Sequence, residues 1–251
     1  MIANGDVVAA GIAKERGGVT LETTVDDGSI EKVVCSDGVC DPYGSSYGLE
    51  FTRVGDTYVL TGIGTCTDSR IVISSVHDGW PVTSIGDCAL EDCTQITDVT
   101  LFDGITHIGE HAFQGCLHLT NIVIPESVTN IGDYAFVMCW SMTRICIPNG
   151  VTYIGRYCFQ HCQSLLSITI PDSVTTIGYS AFYGCRSLTS LVLPEGIANI
   201  GEFAFSGCIG LTKIIFMGTK EQWNAINKGM DWNYSAPATE IICSDGTVEL
   251  Y

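Results

Sequence analysis

Thirteen cysteines and five histidines are the residues of this 251-residue chain best suited to chemistry. A metal reading would gather Cys88, His107 and His111, since zinc takes sulfur and imidazole ligands. Their spacing is not that of a zinc site, because Gly109 breaks any helix that His107 and His111 would share. Cys158 and Cys162 stand four apart, yet both fall where apolar packing recurs. His161 adjoins Cys162, but neighbouring residues on a helix do not face each other, so no thiol–base pair follows. The glycines sit at regular intervals rather than in a phosphate-binding loop. With no catalytic, metal or cofactor constellation, the chain reads as non-enzymatic.

The other spacings explain what the cysteines do instead. From Val82 to Thr219 the chain divides into six uninterrupted blocks of 23 residues, starting at Val82, Ile105, Val128, Val151, Val174 and Ile197. Cys93, Cys116, Cys139, Cys162, Cys185 and Cys208 occupy one position in each block. They are expected to stack as a ladder of buried thiols, since free Cys packs as a small apolar group. Cys146 falls at an outward strand position, and Cys35, Cys40 and Cys243 lie by Ser-Asp-Gly turns, which makes those three the better disulfide candidates.

Each column of the repeat has a physical task. Segments such as LTNIVIP alternate apolar and other residues, the signature of a strand, and Pro stops that strand in four blocks. VTNIG is a second short extended stretch ending on Gly109, Gly132 and their equivalents, where a turn is expected. Ala112, Phe113 and Cys116 then recur at i, i+1 and i+4, which predicts a short helical turn with all three on one face. A block of this kind cannot bury its own apolar face, and stacking blocks solves that.

The pattern L-T-x-I-x-I-P-x-x-V-T-x-I-G-x-x-A-F-x-x-C, carried with small departures by residues 188–208, resembles the BspA-like (Treponema-type) class of bacterial leucine-rich repeats. The resemblance implies an α/β repeat fold, a right-handed leucine-rich-repeat solenoid with one short strand column, turns and short helices in each 23-residue rung. It extends to an N-terminal cap over 48–81, in which Ile71-Val72-Ile73 is a degenerate rung. A C-terminal cap follows over 220–251, where Thr219 and Gln222 form a capping box, Trp223 and Ile226 dock the helix and Gly229 ends it. Residues 1–47 lie outside the resemblance and read as a β-rich attachment segment or extra cap around Asp-Gly and Ser-Asp-Gly turns.

A net charge of −17 argues against nucleic-acid and anionic membrane partners, and no apolar run is long enough to span a bilayer. The charge is uneven: the first two blocks hold 7 acids and no Lys or Arg, whereas the last four balance 4 against 4. That asymmetry serves solubility or steers a basic partner to the N-terminal half. The first sixteen residues do not read as a secretory signal, since no cation precedes the apolar run Val7–Ala13. The tail DGTVELY carries no lipidation site, which leaves cell surface, phage particle and cytoplasm open.

Recognition must use columns not committed to the core. On the turn side His107, His111, Tyr134, Tyr153, Tyr157 and Phe203 form an aromatic and imidazole strip, and block three adds Val137, Met138 and Trp140. The resemblance implies adhesion, that is, non-enzymatic binding of another protein or a glycosylated surface. The alternative is a structural spacer or assembly subunit of a surface structure or phage particle, attached through residues 1–47, which could also mediate self-assembly.

Overall fold

A computed structural model describes residues 45–250 together with the strands Leu21–Asp26, Ser29–Cys35 and Gly38–Cys40. Those three strands pair antiparallel in sequence order. The remainder is a β-solenoid of about eight turns with almost no helix.

Two strand columns, not one, run along the solenoid. The first begins at Arg70–Ile73 and contains Asp98–Leu101, Asn121–Val123, Arg144–Cys146, Ser167–Thr169, Ser190–Leu193, Lys213–Phe216 and Glu240–Cys243. Paired rungs are parallel and in register, so that Arg144 faces Ser167 and Leu191 faces Ile214. The second column uses the short VTxIG stretches, where His107 pairs with both Ser84 and Asn130. Each rung thus presents two ladders, whose inward residues, such as Ile108 and Ile122, are buried.

The A-F-x-x-C segment is not helical, which corrects the α/β expectation. A helix needs N–H groups directed at carbonyls four residues back. Here alternate N–H groups leave the rung altogether: His111, Phe113 and Gly115 donate to the carbonyls of Asp133, Ala135 and Val137 at 3.1, 2.8 and 2.8 Å. Left-handed backbone at His111 (φ 56°) and Gly115 (φ 70°) aims them that way. The segment is a pair of tight turns that continues the inter-rung ladder. Its inward side chains still build the core: Phe113, Phe136, Phe159, Phe182 and Phe205 stack with centroids 5.3, 5.5, 5.3 and 5.1 Å apart.

The repeated glycine of VTxIG also has a different task from the one its sequence suggests. A Cβ on Gly132 would lie 2.6 Å from the Glu110 nitrogen and 2.7 Å from the Gly109 carbonyl carbon, so the glycine lets successive rungs close up. Gly132→Ala is therefore expected to destabilise the fold by about 1–3 kcal/mol, as overpacking does. Gly196→Ala, whose Cβ would meet only the Asp172 carbonyl oxygen at 3.3 Å, should be close to neutral in the same urea titration.

Both ends of the stack are closed. Ser46 donates its N–H to the Val72 carbonyl, and the hydroxyls of Ser46 and Ser45 accept from Val72 and Ser74, so side chains complete the edge of the first rung. At the other end Thr219 and Gln222 form the capping box of the α-helix Lys220–Ala225, with Trp223 buried beneath it. Gly229 does not end this helix, whose cap is Ile226. It continues the glycine column instead, since a Cβ there would run into the Glu202 nitrogen.

Candidate recognition surface

The cysteine column forms the ladder its spacing suggests, with a feature the sequence did not reveal. Five of the six thiols reach back to the preceding rung: Cys116, Cys139, Cys162, Cys185 and Cys208 donate to the carbonyls of Leu90, Phe113, Phe136, Phe159 and Phe182 at 3.1–3.3 Å, whereas Cys93 turns to the Glu91 carbonyl of its own rung. These thiols thus satisfy main-chain acceptors as well as filling space. Burial pushes Cys116, Cys162 and Cys208 up to about 12, and raises Cys139, Cys158 and Cys185 well above the usual thiol range. Such groups are poor nucleophiles. Among the described residues Cys88 and Cys146 are the exposed thiols, and Cys243 is a buried free thiol rather than half of a bridge. The side chains of Cys35 and Cys40 lie outside the described residues. No group of three His, Cys, Asp or Glu among the described residues is placed to hold a metal ion.

The aromatic and imidazole strip divides in two. His111, Tyr134 and Tyr157 stand in register on successive rungs, with ring centroids 4.5 and 4.7 Å apart and planes within 9° and 15° of parallel. Tyr179 and Phe203 prolong the row with tilted and edge-on contacts. His111, Tyr134, Tyr157 and Phe203 all hold left-handed backbone, φ 56–61°, which a non-glycine residue adopts at a cost of about 1–2 kcal/mol. Stacked in this way, the inner rings offer edges and hydroxyls outward while their faces cover one another. Sugar recognition by stacking on a ring face is therefore blocked at the inner rings, whereas a protein surface packs readily against edges.

Block three divides as well. Met138 and Trp140 are 40% and 44% exposed, as a contact surface requires. Val137 is buried, because its side chain turns into the rung, and it must be removed from the candidate contact residues.

His107 and Tyr153 belong to a separate feature, an open groove of about 750 Å³ running across the first rungs. Gly86, Gly109 and Gly132 line its floor, where successive rungs pack backbone against backbone. Ser84, His107, Asn130 and Tyr153 form one wall, and Asp87, Glu110 and Asp133 the other. Asp87 accepts from the Glu110 N–H at 2.8 Å and Asp133 from the Arg156 N–H at 2.7 Å, which fixes both carboxylates at the rim. Tyr153 leans toward the next rung, its hydroxyl 2.8 Å from where a Cβ on Gly178 would be. Burial, and then the Asp133 carboxylate, hold its phenol above the usual range. The three acids were not singled out by sequence reading. Their signal is an acidic residue directly after the repeat glycine in each of the first three blocks.

Comparison with known proteins agrees with this architecture. The family model of the BspA type leucine rich repeat region matches in six copies over residues 71–188 and 152–230. No curated protein matches the chain. The crystal structure of the T. pallidum leucine rich repeat protein TpLRR is similar at 28% identity and TM-score 0.67, over 74% of this chain and 88% of that one. That of a leucine rich cell surface protein from Faecalibacterium prausnitzii A2-165 is similar at 32% identity and TM-score 0.58, over 68% of this chain. The match spans about half of that relative's length, 53%. With its 23-residue rungs, paired strand ladders and phenylalanine stack, the chain belongs to the BspA-type leucine-rich repeat family.

Proposed function

We propose that this chain is a non-enzymatic module that binds another protein through the turn-side flank of its first four rungs. The observation that carries this reading is the row His111, Tyr134, Tyr157. Three large side chains stack there on successive rungs, half-buried, at a position that the core does not use. The same left-handed turn recurs at Cys88, Ser180 and Phe203 and belongs to the repeat, so what distinguishes this row is its run of stacked, half-buried rings. Met138 and Trp140 add half-exposed apolar area, of the composition found at interface centres. Because the inner ring faces are mutually covered, a protein partner is favoured over a glycan. The F. prausnitzii relative is named a cell surface protein, and a surface location for this chain is part of the proposal.

Trp140→Ala is expected to weaken partner association by about 2 kcal/mol or more while the solenoid stays folded by circular dichroism. Ser167→Ala, on the strand face, should leave association unchanged. The measurement is capture from bacterial and host surface extracts, repeated after protease treatment of the extract. Normal capture by Trp140→Ala, with loss in Arg144→Ala, would move the contact surface to the strand face. The spacer alternative is tested by light scattering on the full chain and on residues 45–251, which retain the Ser45–Ser46 edge cap. An oligomer that dissolves on truncation favours assembly through the N-terminal segment.

A further inference from the structure

We propose that the glycine-floored groove is a docking site for an extended, basic segment of the protein partner, an inference that rests on the binding reading above and gives the partner a chemistry. The groove exists before any charge is considered, since closely packed glycine backbone lies between two outward columns. Its open length over three rungs is about 10 Å at the spacing of paired strands, which three to four residues of extended peptide would fill. Its charge then selects the occupant. Asp87, Glu110 and Asp133 lie along one rim, and none of them makes an ion pair with another described residue. No Lys or Arg occurs in the first two blocks to compete for them. Rung four closes the trough, as Tyr153 crosses toward Gly178 and Arg156 takes the place of the acid. The opposite wall offers His107 and Asn130, polar groups suited to the main chain of a bound strand. A cationic segment lying here would also have the His111–Tyr134 row directly beyond the acidic rim, so both features would meet one partner.

The test uses the full chain and a blocked, fluorescent peptide of about seven residues alternating Lys and Ser, with a Glu–Ser peptide as its counterpart. Polarisation should show saturable binding of the Lys peptide only, weakening steeply toward about 0.3 M salt as screening sets in. The triple variant Asp87→Asn, Glu110→Gln, Asp133→Asn keeps the acceptors that hold the neighbouring N–H groups. It is expected to bind about ten-fold more weakly, as loss of three exposed pairs implies. A control variant with equal charge loss, Asp103→Asn, Asp172→Asn, Glu195→Gln, should change affinity less than about two-fold. A photo-cross-linking version of the peptide should attach within residues 84–87, 107–110 or 130–133. Equal weakening by both triple variants, or no saturable binding by the unaltered chain, overturns the proposal. Normal capture by Trp140→Ala with intact peptide binding would instead count against the flank and leave the groove standing.

Discussion

Truncating Phe136 or Phe159 to Ala is expected to cost about 3–5 kcal/mol of folding stability, the range for a fully buried phenylalanine. Each ring is completely buried and sandwiched between near-parallel neighbours from the rungs on either side. Each truncation therefore loses two ring contacts as well as its own transfer term. The column ends against Trp232, so a gap in the middle also separates the central rungs from the C-terminal cap. Urea or thermal unfolding of the two variants measures this. A loss below about 1 kcal/mol would mean that the column does not carry the core.

A second large effect comes from the thiol ladder. The sign follows from where the protons are bound. Below the ordinary thiol value near 9, ladder cysteines are protonated in both folded and unfolded chains, and their burial stabilises fully. As pH rises past 9 the unfolded chain releases these protons, while burial keeps Cys116, Cys162 and Cys208 protonated up to about 12. Stability is therefore lost between pH 9 and 12, at about 1.4 kcal/mol per pH unit for each of these three thiols. The melting temperature should fall steeply above pH 9, and less steeply in Cys162→Ala/Cys185→Ala. A companion measurement is alkylation under non-reducing conditions. Iodoacetamide should modify Cys88 and Cys146 in the native protein, and the six ladder thiols only after denaturation. Bridged ladder cysteines in the denatured sample would overturn the thiol–carbonyl arrangement.

Much of the fold is legible in the periodicity, because each rung must repeat the same inward residues to build a continuous stack. Phe113 and its equivalents, the cysteine column and the Thr219–Gln222 capping box all follow from spacing and residue type. The helix does not, because Ala112, Phe113 and Cys116 at i, i+1 and i+4 fit both a helix and two consecutive turns. What separates them is Gly115, Gly184 and Gly207, glycines that recur inside the supposed helix at positions of φ 70–72°. The groove was hidden for a related reason. The glycine of VTxIG looks like a turn residue, whereas its task is close approach between rungs, and the bare backbone so packed lines the floor of the groove. Val137 shows the limit from the other side. Its departure from the repeat is visible in sequence, but its inward direction depends on the two-turn backbone that the sequence did not disclose.

Hydroxyl-radical footprinting of the chain, alone and with its captured partner, tests most directly where recognition occurs, since Met, Trp, Tyr and Cys side chains report their own solvent contact. The predicted result is loss of labelling at Tyr134, Met138, Trp140 and Tyr157, with Cys146 on the strand face unchanged. Protection of Cys146 with full labelling of Trp140 and Tyr134 would contradict it.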